Sequence, residues 1–218
     1  MFPYPQVLVD IPPIFHSVEF DGPFQKCQIC SRELLQDSQA YMIEKVFRGP
    51  EAIIEIATCL PCAIEMQGEI SAESMATIQQ EFYGKINIVE RLDWLRIQSG
   101  SMLAGEGEEL DEAAAAPASE IETDVSVDPP IEADMWLDAC ILTGAARENT
   151  PNFQVVGMFV GSQMVLSVFP YFISSNAIEE IGEKLSQETR GYMQDFIDDK
   201  FGMPPEFCNP ESPLPLLI

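Results

Sequence analysis

The stretch from Cys27-Gln28-Ile29-Cys30 to Cys59-Leu60-Pro61-Cys62, with 28 residues between the two cysteine pairs, decides the fold of the first half of this chain. Two residues between cysteines allow one tight turn to direct both sulfurs at the same ion. Two such turns complete the tetrahedron of thiolates that zinc prefers. We therefore predict one structural zinc ion per chain, with Cys27, Cys30, Cys59 and Cys62 as its ligands. Such an ion contributes on the order of 10 kcal/mol to folding at neutral pH.

The residues between and after the cysteine pairs predict a β-hairpin followed by a helix. Residues 40–47 and 52–58 are rich in β-branched and aromatic side chains, and the turn-forming residues 48–51 separate them. After Cys62 the chain changes to helix-forming residues, from Ala63 to Gln67. The two pairs are thus predicted to lie at the two ends of one compact unit.

A cysteine pair in a turn, then a β-hairpin, then a second pair at the start of a helix is an order that resembles the treble-clef zinc fingers. The likeness covers residues 24–78, about a quarter of the chain. It implies that Cys27, Cys30, Cys59 and Cys62 are metal ligands. Members of this superfamily serve as structural modules, interaction modules, nucleic-acid binders and parts of enzymes, so the resemblance implies a fold but no activity.

The composition restricts the class of partner. The chain carries 36 acidic against 11 basic residues, a formal net charge of −25. This charge repels phosphates, which argues against nucleic acid or an anionic membrane and favours a protein partner, in particular a basic one.

The start of the sequence lacks the basic residues of a signal peptide, and polar residues interrupt the longest apolar stretch, 153–173. We expect a cytoplasmic protein, and in that reducing compartment paired cysteines indicate metal.

The predicted fold class is α+β, arranged in four segments. Residues 1–103 form a treble-clef-like zinc domain with a proline-rich lead, and residues 135–203 form a second small α+β domain. Between them, residues 104–134 are acidic and of low complexity, and no Lys or Arg occurs from position 97 to position 146. That composition is typical of a flexible linker. Residues 204–218 form a proline-rich tail.

The second domain repeats the order of elements in the first, with two strand-like runs and a helix from about Asn176. Tyr41, Phe47 and Gly49 stand 112 positions before Phe153, Phe159 and Gly161. One interpretation is a duplication in which the second copy lost its metal, with Phe169 and Phe172 opposite Cys59 and Cys62. The other interpretation is that two α+β units of similar size align by chance.

For function, the sequence favours a non-enzymatic interaction or adaptor protein with a structural zinc ion. The leading alternative is a thiol-disulfide redox protein that uses Cys59 and Cys62, because a Cys-x-x-Cys between a strand and a helix has a lowered thiol pKa. Zinc hydrolysis is disfavoured, since four cysteines close the coordination shell and the single histidine, His16, has no neighbouring ligand pattern.

Overall fold

The computed structural model describes residues 7–98 and 133–201, and its architecture is α+β. The strands of the described residues are β1 (Val7–Asp10), β2 (Ala40–Arg48), β3 (Glu51–Cys59), β4 (Asn152–Val160), β5 (Gln163–Leu166) and β6 (Tyr171–Ser174). The α-helices are α1 (Leu60–Gly68), α2 (Ala72–Ile78), α3 (Ile88–Gln98), α4 (Ser175–Gly182) and α5 (Gln187–Phe201). The predicted hairpin and the helix after it are β2, β3 and α1.

All six strands belong to one antiparallel sheet of order β1-β5-β4-β2-β3, with β6 paired to β4. Strands β2 and β4 pair from Ala40 opposite Val160 to Arg48 opposite Asn152. Strands of the predicted domains 1–103 and 135–203 therefore form a continuous sheet, and the division into two domains stays a prediction. The predicted linker lies outside the described residues except for its last two positions, and the tail 204–218 lies wholly outside them.

Aromatic side chains hold the two central strands together. The Tyr41 ring stacks on the Phe159 ring directly opposite it, with centroids 5.2 Å apart, and Phe47 stacks on Phe153 at 4.8 Å. Phe15, from the segment after β1, packs edge-on against Phe159. Aromatic cross-strand pairs of this kind stabilise a sheet beyond the apolar area that they bury. Strands β2 and β4 are buried on both faces, and so their sequences are apolar without a clean alternation.

Each hairpin turn contains a glycine that the backbone requires. Gly49 follows β2 with φ of 60°, and Gly161 follows β4 with φ of 55°. Residues with a side chain rarely adopt this left-handed conformation. Each glycine also bonds to the other half of the sheet, Gly49 N to Pro151 O at 2.6 Å and Gly161 N to Gln39 O at 3.1 Å. The turns therefore fix the register between β2 and β4 from both ends.

Serine side chains begin two of the helices. The Ser71 hydroxyl accepts a hydrogen bond from Ser74 N and caps α2, and the Ser174 hydroxyl accepts one from Ala177 N and caps α4. Such caps satisfy amide groups that have no partner within the helix. The sequence predicted a start near Asn176, two residues beyond the observed cap. Among the described helices, none has the length and hydrophobicity that crossing a lipid bilayer requires.

Candidate metal centre

The first cysteine pair lies in a tight loop before the sheet. Cys27 N donates to Arg32 O and Ser31 N donates to Cys27 O, both at 2.8 Å, so the chain closes on itself over six residues. Ser31 has φ of 60°, a left-handed conformation that is uncommon for a residue other than glycine. The loop is attached to β3 by a bond from Gln28 N to Ala57 O at 3.0 Å. This attachment brings Cys27 and Cys30 to the end of β3.

The second pair lies where β3 changes into α1. Cys59 is both the last residue of β3 and the N-cap of α1, and Cys62 lies in the first helical turn. Pro61 fits at this position because the amide groups of a first turn have no intrahelical acceptor. Helical geometry places the N-cap and the third residue of the helix on the same side. The two sulfurs therefore face the same point in space.

The four sulfurs converge. The Sγ atoms of Cys27, Cys30, Cys59 and Cys62 all lie within 4.8 Å of one another, and Cys30 Sγ is 3.6 Å from Cys59 Sγ. In a tetrahedral thiolate site with metal–sulfur bonds of about 2.3 Å, neighbouring sulfurs lie about 3.8 Å apart. All four thiols are free, and three are buried while Cys30 is exposed. The cluster has the dimensions to hold a metal ion.

The pKa values of the cysteine thiols differ within the cluster. A hydrogen bond from the Arg32 backbone amide, supported by the neighbouring cysteines, lowers the pKa of Cys30 to about 7. Burial raises the pKa of Cys59 and of Cys62. Of these three thiols, Cys30 is therefore the readiest to ionise, and burial disfavours negative charge on Cys59 and Cys62. A divalent cation reverses this, since coordination deprotonates the thiols and supplies the opposite charge.

Two backbone amides face the sulfurs. Cys59 N approaches Cys27 Sγ to 3.4 Å, which adds to the Arg32 amide at Cys30. The nearest basic side chain in sequence, Lys26, forms an exposed ion pair with Glu33 at 3.4 Å. Amide groups that point at thiolate sulfurs orient them and reduce their charge, as partners of metal ligands commonly do.

His16 lies apart from the cluster. Its ring nitrogen Nε2 is 3.2 Å from Ile11 O, and its own carbonyl accepts a hydrogen bond of 2.6 Å from Lys45 Nζ. The structure does not bring this histidine to the sulfurs, in agreement with the sequence analysis. Within residues 7–98 and 133–201, the four cysteines are the single group of three or more potential ligands whose donor atoms converge.

Ser174 at the end of β6 has a place in the sheet that matches the place of Cys59 at the end of β3. Tyr41 lies opposite Cys59 in the β2–β3 pair, and Phe153 lies opposite Ser174 in the β4–β6 pair. Cys59 thus ends β3 opposite Tyr41 as Ser174 ends β6 opposite Phe153, and Phe169 lies before β6. Under the duplication interpretation this register aligns Cys59 with Ser174 at an offset of 115, whereas the sequence prediction aligned Cys59 with Phe169 at an offset of 110.

Comparisons of the chain with protein-family models, with curated proteins and with solved structures found no significant match. What the structure itself shows is an α+β fold and a cluster of four cysteines able to hold a metal ion. The identity of the metal and the role of the protein are therefore inferred from the chemistry of this cluster and from the surrounding contacts.

Proposed function

We propose that this chain is a non-enzymatic interaction or adaptor protein whose first half is stabilised by one structural zinc ion. The observation that carries the proposal is the convergence of four sulfurs from a loop and a helix start, with three of the four cysteines buried. Four cysteine thiolates are a ligand set of structural zinc sites. The ion would tie the loop 27–32 to the β3–α1 junction.

The closed ligand set supports a structural role over a catalytic one. Catalytic zinc keeps one coordination position open for water or substrate. Four sulfurs within 4.8 Å of one another would occupy all four positions around a zinc ion. The single histidine, His16, does not provide a general base at the site. Its ring lies at Ile11 O, and its carbonyl accepts from Lys45 Nζ.

We also propose that the first half has a treble-clef arrangement. The loop 27–32 supplies one ligand pair, β2 and β3 form the hairpin, and α1 carries the second pair at its N-terminus. Under this proposal the zinc ion links the loop to the helix, while the hairpin lies in the central sheet.

The sheet supports an internal duplication of this unit. Tyr41 and Phe47 stand 112 positions before Phe153 and Phe159. In the structure Tyr41 lies opposite Phe159, and Phe47 lies opposite Phe153. Each residue thus faces the counterpart of the other, which is the pattern of a two-fold symmetric interface between two equal units. The backbone hydrogen bonds of the two turn glycines show the same exchange. Gly49 and Gly161 also stand 112 positions apart, and each bonds to the other half of the sheet.

The helices on the two halves support the duplication independently. Ser71 and Ser74 stand 115 positions before Ser186 and Thr189. Ser71 N donates to Thr189 Oγ1 at 3.1 Å, and Ser186 N donates to Ser74 Oγ at 2.9 Å. The Ser71 and Ser186 hydroxyls lie 3.0 Å apart, between the two bonds. These contacts exchange under the same two-fold relation as the sheet, which supports the duplication over a chance alignment of two α+β units.

This architecture suits an adaptor. Two related units share one sheet and several helix contacts, so they would present a fixed surface to a partner. The net charge of −25 favours a partner with a basic surface, and association driven by charge weakens as salt rises. We propose a basic protein as the partner class.

The alternative is thiol-disulfide exchange by Cys59 and Cys62. The position of Cys59 at the N-cap of α1 favours it, because helix N-termini stabilise thiolates. The burial of Cys59 and Cys62 opposes it, since burial raises the pKa of both thiols and exchange needs an accessible thiolate. The alternative also leaves Cys27 and Cys30 without a role.

Two assays separate the functions. We expect the purified protein to show no insulin-reduction activity above a no-protein control. In a pull-down from its native source, we expect tagged protein to retain a stoichiometric partner that high salt releases. Tagged Cys59→Ser protein is the matched bait, and it should retain less of that partner. Turnover in the insulin assay by metal-free, folded protein would instead establish the redox alternative.

A further inference from the structure

A second loop, residues 140–145, has the same backbone hydrogen bonds as the loop 27–32. Cys140 N donates to Ala145 O at 2.8 Å, and Gly144 N donates to Cys140 O at 2.8 Å. These distances equal those of the corresponding bonds in the loop 27–32. Gly144 has φ of 69°, which matches the left-handed Ser31. The backbone that presents Cys27 to the metal centre thus has a full counterpart around Cys140.

This second loop meets a helix start in the same way as the first. Ile141 N donates to Phe172 O at 2.8 Å, as Gln28 N does to Ala57 O. Ser174 N lies 3.3 Å from Cys140 Sγ, where the first centre has Cys59 N at 3.4 Å from Cys27 Sγ. Cys140 is therefore the counterpart of Cys27, and Ser174 is the counterpart of Cys59.

Thr143 and Ala177 are the counterparts of Cys30 and Cys62. Thr143 Oγ1 accepts from Ala145 N at 3.3 Å, in the same way that Cys30 interacts with the Arg32 amide. Ala177 N donates to Ser174 Oγ at 3.4 Å, and it lies three residues after the helix cap, as Cys62 does. All four positions of the metal centre are thus represented, and one of them still carries a cysteine.

Hydrogen bonds replace the metal in this second centre. Cys140 is buried, and its Sγ lies 3.6 Å from Ser174 Oγ. Bonds from Thr143 and from Ser174 to the Cys140 sulfur take the place of coordination, and although burial opposes them they lower the thiol pKa. One thiol, two hydroxyls and a methyl group do not form a tetrahedral thiolate site. These four side chains therefore do not offer the ligand set of a structural zinc ion.

We propose that the Cys140 centre is a latent zinc site, which three substitutions convert into a working one. Thr143→Cys, Ser174→Cys and Ala177→Cys place thiols at the positions that correspond to Cys30, Cys59 and Cys62. Each change is small in volume, since serine and cysteine have equal numbers of heavy atoms and the other two changes alter that number by one. The backbone bonds that aim the ligands already exist, so no segment needs to move. The inference goes beyond the zinc ion proposed for the first centre.

The test is the number of zinc ions bound to the full chain with all three substitutions. After purification in reducing buffer with added zinc and removal of free metal, we expect the zinc content to rise by one ion per chain over wild type. Adding Cys140→Ser to the same variant should abolish the increase, although the three new thiols remain. We also expect added zinc to raise the melting temperature of the triple variant more than that of wild type.

Each outcome has a definite meaning. A folded triple variant with the zinc content of wild type overturns the latent site. A variant that stays unfolded in added zinc overturns it as well, because the backbone is then not preorganised for the metal. If wild type binds no zinc and the triple variant binds one ion, the latent site stands and the zinc ion proposed for the first centre fails.

Discussion

Replacing Cys59 with serine is expected to remove the zinc ion and to unfold the first half of the protein. Cys59 supplies one of four converging sulfurs, and it also joins β3 to α1. A structural zinc site contributes on the order of 10 kcal/mol, which is comparable to the whole stability of a typical protein, about 5–15 kcal/mol. Elemental analysis and thermal denaturation of Cys59→Ser should therefore show metal-poor protein with a greatly reduced or absent transition.

Cys140→Ser is the matched control for this experiment. Cys140 is also a buried cysteine in a loop of the same backbone geometry, but its neighbours are hydroxyl groups. Its replacement should leave the zinc content at the wild-type value. Equal zinc content and equal stability in wild type and Cys59→Ser would contradict the assignment of Cys59 as a ligand.

Replacing Glu44 with glutamine is expected to stabilise the protein at neutral and alkaline pH. Glu44 is buried in β2, where Gln154 Nε2 of β4 donates to its Oε2 at 2.8 Å. Burial raises the pKa of Glu44 from 4.5 to about 8, and the bond from Gln154 offsets this only in part. The folded protein therefore holds a proton that the unfolded chain releases. Stability attributable to Glu44 is complete below about pH 4.5 and is lost as the pH rises through about 8.

The size of the effect follows from the same linkage. Each pKa unit corresponds to about 1.4 kcal/mol, so Glu44 costs wild type on the order of 3 kcal/mol between pH 4.5 and pH 7. In denaturant unfolding, the free energy of unfolding of Glu44→Gln should exceed that of wild type by about this amount at pH 7. Near pH 4.5 the two proteins should be nearly equal in stability. Glu51→Gln, at an exposed position of β3, is the control and should follow wild type. A constant difference between Glu44→Gln and wild type at all pH values would contradict the raised pKa.

Local signals in the sequence were sufficient to predict the main elements of the first half of the chain. The cysteine spacing and the β-rich runs around Gly49 predicted the four-cysteine cluster and the hairpin. Strands β2 and β3 lie within one residue of the prediction, whereas α1 begins three residues earlier than predicted, at Leu60. These features depend on neighbours close in sequence: a turn, a strand pair and a helix start. The cysteine spacing also predicted that the two pairs meet at one ion, and the resemblance to treble-clef zinc fingers implied the same ligands.

Long-range pairing could not be predicted in the same way. The contact between β2 and β4 joins segments 112 positions apart, and no residue in either strand specifies its partner without knowledge of the whole sheet. The alignment of Ser174 with Cys59 under the duplication interpretation depends on the same long-range pairing. The sequence alignment placed Phe169 with Cys59 at an offset of 110, because the interruption between β5 and β6 was not recognised. The distance of 113 positions between Cys27 and Cys140 was the signal available for the second centre.

The measurement that tests the central claim most directly is the zinc content of wild-type protein, combined with thiol titration of the folded state. We predict one zinc ion per chain, with the thiols of Cys27, Cys30, Cys59 and Cys62 protected until a strong chelator removes the metal. Their release should make four further thiols reactive, out of six cysteines in the chain. Folded protein without stoichiometric metal, in which these thiols react freely before any chelator is added, would contradict the account.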